Sequence, residues 1–308
     1  MKLLTPVFPI SPRARQIAGL LLAGLALAPG PLGAGPAPTR VYPEPSSFLL
    51  LRLGGDRAHS HYTPGSLDRT ANLKARLEIV ARSFERWTKL RVEYTVFVLG
   101  RREWEEAGID VEYGIPVRVG TSGIAVPARG DAGTVELWSG LLGGMLPSVA
   151  GTPLLGSPQE AASLIVADVV AQVLAGQILA DVLGLVGDEP WIRGAMAHLA
   201  ALTVVLRQGT DRPEDLAVLY RRLLSRHPPK TFSLRDDRDG LAAADWLWFQ
   251  AQYHFGARAI YDKEGKDALK KMHKLSSKGK LTASQLRRKH KALGQWLDDQ
   301  FAAVSRQR

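Results

Sequence analysis

Seven histidines and no cysteine set the chemistry this chain can offer. His59 and His61 stand two residues apart in Asp56-Arg-Ala-His-Ser-His, with a carboxylate just upstream. That spacing reads as a surface turn and, as a second reading, as a metal clasp. His198 lies alone in an apolar stretch, where a lone histidine is ordinarily a hydrogen-bonded structural residue. Asp236-Asp-Arg-Asp lacks the spacing of a calcium loop and reads as a solvated turn. No Gly-x-Ser-x-Gly, Walker or dinucleotide fingerprint occurs. Without cysteine, disulfides, thiol nucleophiles, thiolate-bound zinc and a lipoprotein anchor are excluded. The segment that demands an explanation is Val169 to Leu179, "VVAQVLAGQIL". It has the composition of a buried helix, yet it carries Gln172 and Gln177 and sets alanines where a core favours larger side chains.

The elements that must position these residues fall into two halves. A strand is expected within Ser46–Gly54. Leu73, Leu77, Val80, Phe84 and Trp87 recur at spacings of 4, 3, 4 and 3, one face of an amphipathic helix. Arg91–Leu99 is a β-branched and aromatic strand, and "REWEEAG" a short helix. "PVRVG", "GIAVPA" and "GTVELW" are three further strand candidates. A Gly- and Pro-rich loop at 139–156 closes this α/β part, which spans 46–138. The remainder, 157–308, reads as helix. Ser157, Pro158 and Glu160 supply a cap, an N1 proline and a capping-box glutamate for a helix running to about Leu183. Glu189-Pro-Trp opens the next, to about Arg207, and others are expected near 213–225, 240–261, 264–275 and 283–303. The fold class is therefore α+β, a small mixed sheet subdomain followed by a helical one. Leu164–Val186 is apolar enough to suggest a membrane span, but Asp168 and Asp181 would each cost roughly 2.5–3.5 kcal/mol at a bilayer centre, so a buried core helix is expected and no transmembrane helix in the mature chain.

The chain has 308 residues, 45% of them hydrophobic, enough for a sizeable core. Residues 1–35 combine a basic leader, the apolar run Ile17–Ala28 and a small-residue exit, as in a secretory signal peptide, and 36–45 read as a Pro-rich linker. A secreted or periplasmic location is the expectation. The net charge is +10, and eleven lysines and arginines against two acids lie between Lys263 and Lys291. Such a segment favours anionic envelope polymers or lipid headgroups, or else is simply a solvated helix face. No RNA- or DNA-binding motif accompanies it, and nucleic acid is not expected as a partner.

One more pattern emerges when the two central helices are read together. The second begins "WIRGAMAHLA", Trp191–Ala200, and 23 positions before Gly194 the first reads "AQVLA", Ala171–Ala175. The pair resembles the gluzincin metallopeptidases, of the peptidase MA-like or aminopeptidase N-like kind. Those enzymes carry HExxH on one helix and a third ligand in "WLxEGxA" on the next. In this register Ala171 and Ala175 stand at the two histidine positions, Gln172 at the general base and Gly194 at the glutamate ligand. The resemblance spans about 30 residues without a gap. It implies a thermolysin-like architecture from which the zinc site has been lost. An amide cannot take up a proton near neutral pH, so Gln172 cannot act as the base.

The resemblance further implies a cleft bordered by Trp191 and His198. Its edge strand would run through Gly123, Ile124 and Ala125 within Ser122–Asp131, where an extended peptide could add as a strand. Tyr253 or Tyr261 would stand near an oxyanion-stabilising position. The implied function is a non-catalytic, peptidase-like binder of a peptide, protein or envelope component, with no metal and no cofactor. Two other functions stay open: a hydrolase with a displaced metal site at His59, His61 or His198, and a structural envelope protein that binds anionic surfaces.

Overall fold

The computed structural model describes residues 41–45, 50–142, 144, 146, 157–205, 217–221, 224 and 243–305. The expected leader, residues 36–40 of the linker, most of the Gly/Pro loop, most of the helix expected at 213–225 and the Asp236–Asp239 turn lie outside them.

Six strands form one mixed sheet: β1 (Val41–Tyr42), β2 (Leu51–Leu53), β3 (Ala58–Tyr62), β4 (Tyr94–Leu99), β5 (Val117–Val119) and β6 (Gly123–Pro127), in the order β1-β5-β6-β4-β3-β2. The central β4 is parallel to both β3 and β6. Parallel neighbours require a crossover, and helix α1 (Leu67–Thr88) supplies it between β3 and β4. The predicted apolar stripe of α1 is the face that is buried, with Phe84 fully enclosed. Opposed pairs Val96↔Ile124 and Val98↔Val126 put these four side chains on the face toward α1.

Two expectations for this half are corrected. The His59–His61 segment is strand β3, not a surface turn. Ala58, Ser60 and Tyr62 are buried while His59 is exposed, so an alternation is present, but small and polar residues carry it. "GTVELW" is not a strand. It lies in helix α3 (Ala132–Leu141), which follows the short helix α2 (Arg101–Glu106). Asp131 caps α3 by accepting from the Thr134 amide at 2.8 Å, and Thr134 Oγ1 accepts from the Asp131 amide at 2.8 Å. A threonine at the third helical position replaces the usual Glu or Gln, which is why the capping box escaped notice.

Helix α4 (Pro158–Val182) begins at the predicted Ser157/Glu160 capping box. It is apolar nearly all round because it is covered on most sides: by the sheet, by α3 and by α5 (Pro190–Ala200). Among the described residues it is the one helix long and apolar enough to cross a membrane, and 67% of that window is buried within the protein. A tight turn at Gly184, with φ of 62°, reverses the chain into α5. At Gly176 the two helices touch backbone to backbone: a Cβ there would lie 2.4 Å from the Ala197 carbonyl oxygen. Helix α5 continues into a wider π-helical turn, Ala201–Val205. Then come α6 (Ala243–Glu264), α7 (Ala268–Ser276), α8 (Ala283–Lys289) and α9 (Lys291–Ser305). The single helix expected at 283–303 is broken at His290, whose φ of −124° and ψ of 88° leave the helical region. One hydrophobic cluster runs from Tyr42 in the sheet to Leu297 in α9.

Candidate functional site

The four positions singled out on α4 and α5 do not share one environment. Ala175 is fully buried, and its carbonyl accepts a hydrogen bond from Tyr94 Oη at 3.3 Å. Burial raises the Tyr94 phenol pKa, so the hydroxyl keeps its proton and donates. Gly194 faces α6. The three nearest atoms to a Cβ built there all belong to the Tyr253 ring, the closest at 2.2 Å. A tyrosine ring thus fills the space a side chain at 194 would enter.

Ala171 and Gln172 are different. They border a slot between α1, the sheet and α4, walled by Leu73, Leu77, Val96, Ile124 and Val205. About 30 Å³ of it admits a water-sized sphere. That is more than one water needs and enough for one small apolar group. The slot exists because alanine at 171 is short and the wall residues come from elements whose spacing is set elsewhere. Its polar rim is Arg76, Asp168 and Gln172.

Charged ties hold the slot's walls in place. Arg69 of α1 grips Asp168 of α4 with both terminal nitrogens, at 2.6 and 3.2 Å, and its Nε donates to the Pro127 carbonyl of β6 at 2.9 Å. A planar guanidinium that joins helix, helix and strand in this way fixes all three. At the far end of α4, Arg118 of β5 is buried and pairs with Asp181 at 2.8 Å, while its Nη2 donates to the Thr121 carbonyl at 2.5 Å. Arg193 of α5 meets the same carboxylate at 3.2 Å.

The remaining candidates are scattered. Strand β6 is not an edge: β5 and β4 flank it, so Gly123, Ile124 and Ala125 have no free backbone for an added peptide strand. Ile124 does wall the slot, while Gly123 and Ala125 project to the other face of the sheet. Trp191 is fully buried, donates from Nε1 to Glu189 at 2.9 Å and meets Trp296 edge-on. His198 is fully buried, with Nε2 3.0 Å from Gln250 Oε1. Burial lowers its pKa to about 4, and the bond to Gln250 opposes this only in part. Trp191, His198 and Tyr253 all pack in the helical half and none lines the slot. Tyr261 is half-buried beneath Arg258. His61 stacks on Phe97, and burial lowers its pKa, helped by Arg52. Asp56 turns instead to Arg57 and Arg82. The DRAHSH segment thus forms no clasp, and among the described residues no three His, Asp or Glu side chains converge to hold a metal.

Sequence reading missed two features. One is the slot itself, whose walls come from four separate elements. The other is a buried ring cluster of His198, Tyr220 and His254, with centroids 5.1 to 5.8 Å apart. Neither ring nitrogen of His254 has a hydrogen-bond partner among the described residues. Burial, with His198, Arg258 and Arg221 nearby, holds its pKa well below the ordinary value. The only available signal was His198 and His254 themselves, 56 residues apart on what proved to be packed helices.

Among the described residues lining the slot, Asp168 is the one carboxylate. Gln172 can donate and accept hydrogen bonds without exchanging a proton, and Asp168 is committed to Arg69. The chain matches no protein-family profile, no curated protein and no solved structure.

Proposed function

We propose that this protein is a secreted or periplasmic, catalytically inert relative of the gluzincin metallopeptidases, which holds an apolar side chain of a peptide or protein ligand in the slot over Ala171 and Gln172. The observation that carries this reading is the placement of the slot. An open apolar recess lies over two of the four positions where the resemblance puts the zinc site; of the other two, Ala175 is fully buried and Gly194 is filled by the Tyr253 ring. A mixed sheet followed by a buried helix pair agrees with a thermolysin-like order of elements. Arg76, Asp168 and Gln172 at the rim would lie beside the ligand backbone where it leaves the slot.

Metal content tests the inert half of this proposal. The purified chain, exposed to zinc and dialysed, is expected to retain far less than one zinc per molecule. One tightly held zinc would overturn the reading in favour of a metal-dependent hydrolase. The ancestral register has its own test. Ala171→His, Gln172→Glu, Ala175→His and Gly194→Glu, combined with Tyr253→Ala to clear the ring from residue 194, should confer zinc binding. A folded variant that takes up no zinc contradicts the register.

A further inference from the structure

Away from the slot, a second pocket of about 260 Å³ lies between α7 and the junction of α8 with α9. Lys271, Lys274 and Lys278 reach it from α7 and its following turn, and Lys289 from the end of α8. Lys271 and Lys274, three apart, share a face of α7, and Lys278 follows in the turn beyond it. Glu264 is the one carboxylate in the wall, and it pairs with Lys271. Lys274, Lys278 and Lys289 have no carboxylate partner among the described residues. Lys274 and Lys289 lie in the last turns of their helices, where one cation each complements exposed carbonyls. That accounts for neither Lys278 nor the presence of four lysines around one pocket.

His290 is the one ring in the pocket wall. It is 1% exposed, and both its ring nitrogens are buried, with no hydrogen-bond partner among the described residues. Its Nδ1 lies 3.8 Å from Glu264, beyond hydrogen-bond reach. The chain leaves helical geometry to place this ring, for His290 is the residue that separates α8 from α9. Four lysines around one pocket are placed to attract a multiply charged anion. Four lysines against one carboxylate leave about three positive charges around the pocket, which favours a multiply charged anion over a single carboxylate.

We infer that this pocket binds a phosphate group, through Lys274, Lys278 and Lys289 as point charges. The phosphate can come from a soluble phosphate or polyphosphate, or from an anionic lipid headgroup. The inference does not depend on the slot or on peptidase ancestry, since no residue is shared between the two pockets.

The test uses the full chain with two probes: inorganic pyrophosphate in calorimetry, and phosphatidylglycerol-containing vesicles in sedimentation. Lys274→Gln/Lys278→Gln removes two exposed charges from the pocket, and Lys266→Gln/Lys280→Gln removes two exposed charges outside it. The pocket variant is expected to lose at least about tenfold in affinity for whichever probe binds, and the outside variant about twofold or less. Pyrophosphate binding with this asymmetry assigns a soluble ligand, and binding to vesicles alone assigns a headgroup. Equal losses in the two double variants would overturn the pocket in favour of diffuse surface charge. No binding of either probe by the wild-type chain would overturn it outright.

Discussion

The α4–α5 helix pair uses small residues for two opposite purposes. At Gly176, Ala197 and Ala201 they let two helix backbones touch, and nothing is left between them. At Ala171 a small residue leaves the wall of a slot open. The composition is nearly the same in both places. What differs is the partner: a second helix close by in the first, and a sheet and α1 held at fixed distance by the Arg69–Asp168–Pro127 tie in the second. Residue size alone therefore does not announce a binding site. A small residue opens space only where the opposing surface cannot follow it inward.

Substitutions should separate the two regions sharply. Gly176→Leu should be the most damaging, at about 3 kcal/mol, because the obstacle is the Ala197 carbonyl and the Ala201 amide, backbone that cannot rotate away. Chemical denaturation would measure it. Gly194→Ala should cost less, about 1–2 kcal/mol, because its obstacle is the Tyr253 side chain. Adding Tyr253→Ala should make the two costs strongly non-additive, and simple addition would refute the contact.

Acid should strain the closed helical packing more than the slot. The unfolded His198 titrates near 6.5 and the folded one near 4, since burial disfavours its charged form. Stability from this group is therefore complete above pH 6.5 and is lost as pH falls from 6.5 toward 4, by about 3 kcal/mol over that window. His254 is shifted in the same direction and steepens the decline. Thermal melts from pH 7 to 4 should fall accordingly, and His198→Gln should flatten the curve. Asp181→Ala should cost about 2 kcal/mol, since it leaves the buried Arg118 guanidinium with only the Thr121 carbonyl among the described residues, though Asp181 itself is partly solvated. Ala171→Leu should be the smallest change in stability, near zero or slightly favourable, because it fills existing space rather than creating overlap.

Much of the scaffold was legible in sequence because it rests on local rules. The α1 stripe and the two capping boxes at Ser157 and Thr282 each involve neighbours within a turn or two. The strand β3 was not legible, because its alternation is Ala, Ser and Tyr against two histidines. Nor was the helix at 132–141, where β-branched and aromatic residues mimic a strand and an Asp–Thr cap overrides them. For the site, residue spacing drew attention to Ala171 and Gln172, but which of the four positions stays open depends on long-range partners. Tyr94, Tyr253 and Arg69 lie 81, 59 and 99 residues from what they contact. The interior position of β6 was equally hidden, since strand order is set by the whole sheet.

The central claim, that the recess over Ala171 receives an apolar group, is tested most directly by comparing small-molecule binding to the wild-type chain and to Ala171→Leu. Titration with a small apolar probe such as isobutanol, followed by NMR shifts of the slot-lining methyls of Leu73, Leu77, Val96 and Ile124, reads the slot itself. The account predicts saturable shifts confined to those methyls in the wild-type protein and their loss in a stably folded Ala171→Leu. Saturable binding that persists unchanged in Ala171→Leu, or no shifts in the wild-type protein, would contradict it.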